Sequence, residues 1–331
     1  MPDFSALLVI TLFLVLAAEF VNGWTDAPNA IATVVSTRVL SPSKAVVMAG
    51  VLNIVGALVT GTAVAATIGK GIVSPDVIGL PVVAAAMLTI ITWSTLAWRY
   101  GIPTSESHEL VAGLTGAALA AAGPSALLWG GWQKVIIGLG FSTLLGFSIS
   151  MILMTALYWL LRRTRPSSVR EYFSRLQIIS SAFMAFSHGS NDGQKFMGVF
   201  ALVLVLGGVT TQFTIPIWVM VLCGVVMGMG TATGGWRIIR TMGFKLTKLE
   251  PVNGFAAETS AAAAILLASS FGIPLSTTHT INIAIMGVGA TKRFSAVRWG
   301  VARNIVAAWV LTFPVCGFLG YLFTLLLNLF L

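Results

Sequence analysis

Charged residues divide the chain into long apolar intervals: Lys44 to Lys70, Asp76 to Arg99, Lys134 to Arg162, Lys195 to Arg237, Glu258 to Lys292, and Arg303 to the end. A helix crosses the hydrocarbon of a bilayer with roughly 20 apolar residues. Each interval therefore holds a span, and the one after Lys195 holds two, divided at the polar turn 207–212. The pattern predicts an all-α, polytopic membrane protein with segments 4–37, 45–68, a hairpin 77–121, 133–161, then 176–206, 213–235, a hairpin 252–290 and 300–331. The opening Met1-Pro2-Asp3-Phe4 carries no basic leader, so the first apolar run reads as a retained span.

Composition agrees. The chain is 57% hydrophobic and 9% charged, against about 25% charge in soluble domains, which excludes a soluble enzyme, a disulfide scaffold and a disordered tail. Cys223 and Cys316 lie in apolar runs with no disulfide or metal spacing. The net charge of +9 would suit nucleic acid, but 15 of the 19 Lys and Arg fall in four groups: Arg38 and Lys44; Arg162, Arg163, Arg165, Arg170 and Arg175; Arg237, Arg240, Lys245 and Lys248; Lys292, Arg293, Arg298 and Arg303. Such clusters mark cytoplasmic loops. No nucleic-acid partner is expected; the lipid bilayer of the cell membrane is, with the chain multi-pass and both termini outside.

Two motifs recur. Gly23-Trp24-Thr25-Asp26 matches Gly189-Ser190-Asn191-Asp192 at an offset of 166, and Gly101-Ile102-Pro103-Thr104-Ser105-Glu106-Ser107-His108 matches Gly272-Ile273-Pro274-Leu275-Ser276-Thr277-Thr278-His279 at an offset of 171. The order and spacing indicate a duplication, with halves 1–165 and 166–331. The loop bearing Arg38 and Lys44 is basic where its counterpart at 207–214 is not, and 236–250 and 291–303 are basic where 70–76 and 121–132 are nearly neutral. The halves are therefore predicted to be inverted repeats with broken helices and re-entrant hairpins, an architecture in which secondary transporters hold substrate near the midplane.

The chemistry sits in the repeats. Segment 4–37 is expected to break at Asn22-Gly23-Trp24-Thr25-Asp26-Ala27-Pro28-Asn29, which leaves Asp26 as an intramembrane carboxylate, costly and therefore functional; an interfacial cap is the plainer alternative. Pro103 and Pro274 favour a first helical turn. They put Thr104, Ser105 and Ser107, and in the other copy Ser276, Thr277 and Thr278, at helix N-termini, where free amides bind anions or the hydroxyls merely cap. On a helical wheel Glu106 points away from that face. All three histidines, His108, His188 and His279, fall in these motifs without metal spacing. Lys195, one turn from Asp192, takes the place Asn29 has in the first copy. It is either half of a structural ion pair or a stand-in for a bound cation. Glu258 is a further carboxylate in an apolar run.

With Asn22-Gly23-x-x-Asp26-x-x-Asn29-Ala30, Gly101-Ile102-Pro103-x-Ser105-x-Ser107-His108, Ser187-His188-Gly189-x-Asn191-Asp192 and Pro274-x-Ser276-Thr277-Thr278-His279, the chain resembles the inorganic phosphate transporter (PiT) family over nearly its whole length. The resemblance implies a phosphate permease driven by a proton or sodium gradient, a homodimer, and no cofactor. It implies substrate contacts at Asp26, Asn29, Thr104, Ser105, Ser107, Asn191, Asp192, Ser276, Thr277 and Thr278. Lys195, His108, His188, His279, Glu106, Glu109 and Glu258 are the surrounding or coupling groups. Lys195 and Glu106 depart from the family pattern, and lysine offers only donors where a sodium site wants oxygen ligands. Proton coupling is therefore expected over sodium. A sulfate permease and a passive anion channel are the alternatives. An intramembrane hydrolase fits poorly, because symmetric duplication suits a binding site better than one nucleophile.

Overall fold

The computed structural model describes residues 5–330; the predicted span boundary at Phe4, the leaderless opening and Leu331 lie outside the described residues. The chain is almost wholly helical, with no strand among those residues. The first half comprises α1 (Ala6–Ser36), α2 (Pro42–Val59), α3 (Ala63–Gly71), α4 (Leu80–Tyr100), α5 (Glu106–Ala122) and α6 (Trp129–Leu161). The second comprises α7 (Pro166–His188), a π-helical turn at Gly189–Gly193, α8 (Gln194–Leu206), α9 (Ile217–Thr233), α10 (Trp236–Arg240) with a π-helical turn at Thr241–Lys245, α11 (Pro251–Ser270), α12 (Thr277–Lys292) and α13 (Trp299–Asn328). Among the described residues six helices are long and apolar enough to cross a membrane, and the pair α9–α10, bent by 59°, makes a seventh if it is one span.

Three expectations about the elements are corrected. α1 does not break at 22–29; it runs as one helix through Pro28. Proline removes one backbone bond, to the Trp24 carbonyl, and α9 packs closely enough to hold the turn. A Cβ on Gly23 would stand 2.1 Å from the Met227 carbonyl oxygen, and one on Gly230 the same 2.1 Å from that of Phe20. Interruption occurs only in the second copy, as the π-helical turn carrying Asn191 and Asp192. Segment 45–68 is split at 60–62 into α2 and α3, and residues 236–245, expected in a loop, are helical after Gly234 and Gly235.

Packing is reciprocal. α5 packs mainly on α13 and α12 on α6; α1 lies against α9 and α4 as α7 lies against α2 and α11. The glycine contacts repeat this exchange, since a Cβ added at Gly56 would stand 2.1 Å from the Phe186 carbonyl oxygen and one at Gly189 the same 2.1 Å from that of Asn53. Each hairpin turns on a glycine in the left-handed region, Gly101 (φ 68°) and Gly272 (φ 64°), which lacks the Cβ that would strain there. Each turn is fastened by one hydroxyl: Thr241 donates to the Gly101 carbonyl at 2.7 Å and Thr67 to that of Gly272 at 2.8 Å.

The returning arms α5 and α12, 17 and 16 residues long, meet tip to tip. At about 1.5 Å per residue they each descend about 25 Å and together match the 33-residue α6. Their junction therefore falls near mid-depth. All four basic groups gather at one end of the bundle, where Arg38, Arg162, Arg170 and Lys248 line one cleft and Lys248, Lys292, Arg293 and Arg298 its neighbour.

Candidate substrate site

At the junction of the hairpin tips, side chains from α1, α5, the π-helical turn, α8 and α12 converge. The Ser276 hydroxyl donates to that of Ser105 at 2.8 Å, and Ser107 donates to the Leu275 carbonyl at 3.1 Å. The two prolines are not helical: α5 and α12 begin at Glu106 and Thr277, so Pro103 and Pro274 lie in the extended turns before them. Ser276 caps α12 by accepting from the His279 amide at 3.2 Å, whereas Ser105 makes no such bond, so the opening amides of α5 have no side-chain cap. The capping reading of these hydroxyls thus holds for Ser276 and not for Ser105.

Around the tips the two halves exchange partners. Asn29 donates to Thr278 at 3.0 Å and more weakly to Thr277 at 3.3 Å, while Thr278 donates to both Asp26 oxygens, at 3.0 and 3.2 Å. Thr277 donates to Asp192 at 2.8 Å. At the position equivalent to Asn29, the Lys195 ammonium donates to the Asp192 carboxylate, the Ser107 hydroxyl and, at 3.1 Å, the Leu275 carbonyl. Lys195 is 1% exposed, and burying an ammonium is tolerable only with such partners. His188 reaches across both halves, its Nε2 3.2 Å from Asp192 and 3.9 Å from Asp26. Asp26, His188 and Asp192 present atoms within 4.8 Å of one another, a set able to hold a metal ion, which sequence spacing hides because Asp26 comes from the other half.

Glu106 does not point away. It accepts from Thr25 and from Ser94 at 3.4 Å, and Glu109 accepts from the same Ser94 hydroxyl. α5 is buried on every side at its start, so no face of its first turn leaves the protein.

Other expected residues lie around this cluster rather than in it. Thr104 is buried in the extended turn before α5. Asn191 donates to Ser269 at 2.8 Å and to the Ile273 carbonyl at 3.4 Å, tying the π-helical turn to the second hairpin. His108 and His279 meet edge to face at 4.4 Å behind the tips, His279 stacked on Trp309 at 3.7 Å. Glu258 belongs to a separate buried network, accepting from Thr33, Ser180 and Gln177. Sequence reasoning missed Asn53, which faces His188 Nδ1 at 3.3 Å and donates to Thr231 at 3.2 Å, and it missed Thr25 and Ser94. Thr25 stood inside the repeated motif beside Asp26, while the only signal for Asn53 and Ser94 was a polar residue in an apolar helix.

Comparison with known proteins places this geometry. The phosphate transporter family matches residues 22–168 and 161–320. A probable low-affinity inorganic phosphate transporter of Rhizobium meliloti is 44% identical over 97% of this chain and 95% of its own length. One of the same name from Bacillus subtilis is 41% identical over 98% of each chain. A solved structure, the sodium-dependent phosphate transporter, superposes with a TM-score of 0.88 at 26% identity, covering 98% of this chain and 100% of its own. These relatives are named transporters and not enzymes. Matched through both halves, with the paired carboxylates and hairpin hydroxyls at the junction of its tips, the chain belongs to the phosphate transporter family.

Proposed function

We propose that the protein is a secondary active importer that carries inorganic phosphate together with protons, the anion bound where the hairpin tips meet. The observation that carries the coupling assignment is the Lys195 ammonium, held by a carboxylate, a hydroxyl and a backbone carbonyl. Those are the ligands a small monovalent cation would take, and a tethered ammonium fills the place with a fixed charge. The coupling proton is assigned to a buried carboxylate beside the junction, Asp26 first and, less directly, Glu106 or Glu109. A protonated phosphate donates to such carboxylates, while sulfate only repels them, which favours phosphate over sulfate.

The reciprocal helix contacts support two halves, 1–165 and 166–331, in opposite orientation. The gathering of basic groups at one end supports a cytoplasmic location for that end, with both chain termini outside. Exposed apolar side chains such as Phe13, Leu144, Ile152, Val310 and Phe318 support lipid contact. The homodimer is carried over from the family resemblance.

Sodium coupling is the second reading, favoured by the neighbour named a sodium-dependent phosphate transporter. Proteoliposomes given an inward proton gradient without sodium decide. Concentrative phosphate uptake that a protonophore abolishes is expected, and Lys195→Asn should weaken it while making uptake respond to sodium. Accumulation that requires sodium and ignores the pH gradient overturns the proton assignment, and uptake that never exceeds electrochemical equilibrium makes the protein a passive anion channel.

A further inference from the structure

Four cations lie outside the basic loop groups: Lys70, Arg99, Lys134 and Lys195. Lys195 is in the central cluster, and the other three line two clefts at matching places. One cleft, of about 510 Å³, opens beside the turn of the second hairpin and contains Lys70 and Lys134. Lys134 donates at 3.3 Å to Thr67, the residue that fastens Gly272. The other, of about 470 Å³, opens beside the turn of the first hairpin and gathers Arg99, Arg237, Arg240 and Lys245 around Gly101.

No Asp or Glu lines either cleft, and among the described residues none of these six cations is in an ion pair. Each cleft also sets one cation over an aromatic ring, Lys70 over Phe213 at 5.5 Å and Arg237 over Trp98 at 4.7 Å. Cytoplasmic loop chemistry accounts for Arg237, Arg240 and Lys245. It does not account for Lys134, which sits near the start of α6 while Arg162 and Arg163 follow the far end of that helix, about 42 Å away. A concave, single-sign cleft with low-dielectric walls focuses its field and raises the local concentration of the opposite ion.

We propose that the two clefts are docking stations for inorganic phosphate at opposite mouths of the path, the Lys70–Lys134 cleft receiving the anion on the side away from the basic loops. This rests on the phosphate-transport reading. An anion leaving Lys134 has the extended turn 273–276 beside it, and that turn leads directly to the Ser276, Thr277 and Thr278 hydroxyls.

The test is the initial rate of radiolabelled phosphate uptake into phosphatidylcholine liposomes containing the full chain, compared for the wild type and the double variant Lys70→Gln, Lys134→Gln. The wild-type KM should rise with ionic strength, as screening weakens the attraction. The variant should have a KM about three- to tenfold higher at low salt and little further rise, and Lys70→Arg with Lys134→Arg should restore both properties. Should the double variant lose its thermal transition in detergent, Lys70→Gln alone carries the same comparison. An unchanged KM and salt profile overturns the proposal. So does an effect seen only when anionic lipid is added, which would make the pair a lipid-headgroup site. If the wild type takes up sulfate and not phosphate, the transport reading fails, and the same comparison made with sulfate still decides the role of the cleft.

Discussion

Ser105 and Ser276 face each other across the junction at 2.8 Å, one from each hairpin, and only Ser276 spends its oxygen on a cap. Ser105→Ala and Ser276→Ala should therefore each weaken apparent phosphate affinity, by roughly 1.5 to 3 kcal/mol or about ten- to hundredfold for a bond to a charged group. Ser276→Ala should also lower the thermal midpoint, because α12 loses its cap. Phosphate-concentration dependence of uptake and a melting curve in detergent separate the two effects, and unchanged affinity in both variants would return these residues to a structural role. Asp26, Asp192 and Lys195 were legible in the sequence because the motif containing them occurs twice and a charge in an apolar run is conspicuous. The placement of Glu106 was not. A helical wheel ranks faces of an isolated helix, whereas α5 starts inside a ring of neighbours, so the face opposite Ser107 meets Thr25 and Ser94 instead of lipid.

Among the elements, the spans could be read from charge spacing and the hairpin turns from Gly101 and Gly272. Interruptions were harder to place. Asn22 to Asn29 holds the residues of a broken helix yet stays helical, because α9 packs against it at glycine distance, while the plain-looking Thr60-Gly61-Thr62 and Gly234-Gly235 are where chains of helix end. Local composition proposes a break; the neighbour across the interface decides it. In a bilayer, where helices associate through close van der Waals packing of small residues, a Cβ at Gly23 would stand 2.1 Å from backbone and has no flexible atom to displace. Gly23→Ala should cost about 1 to 3 kcal/mol through overpacking and lower the thermal midpoint in detergent. Gly140→Ala, with nothing within 4 Å of its added methyl, should not. Equal midpoints for the two variants would contradict the close α1–α9 contact.

At the scale of the whole molecule, the basic end fixes a testable orientation. With Cys223 and Cys316 replaced, a cysteine at the exposed Ser167, beside Arg165 and Arg170, should resist an impermeant thiol reagent added to intact cells, whereas one at the exposed Ser125 should react. The reverse pattern would invert the topology. Charge bias was readable from the sequence, but the reciprocal docking of α5 on α13 and α12 on α6 was not, since it depends on partners about 200 and 140 residues away along the chain. The two threonine fastenings have a consequence of their own. Thr241 and Thr67 hold the opposing hairpin turns by bonds of the same kind and nearly the same length, 2.7 and 2.8 Å, while the junction between them is shut off from both sides. The first turn carries one bond more, from the Arg237 guanidinium to the Arg99 carbonyl at 2.6 Å, so the two ends are not latched alike: the hairpin beside the basic loops is the more firmly held.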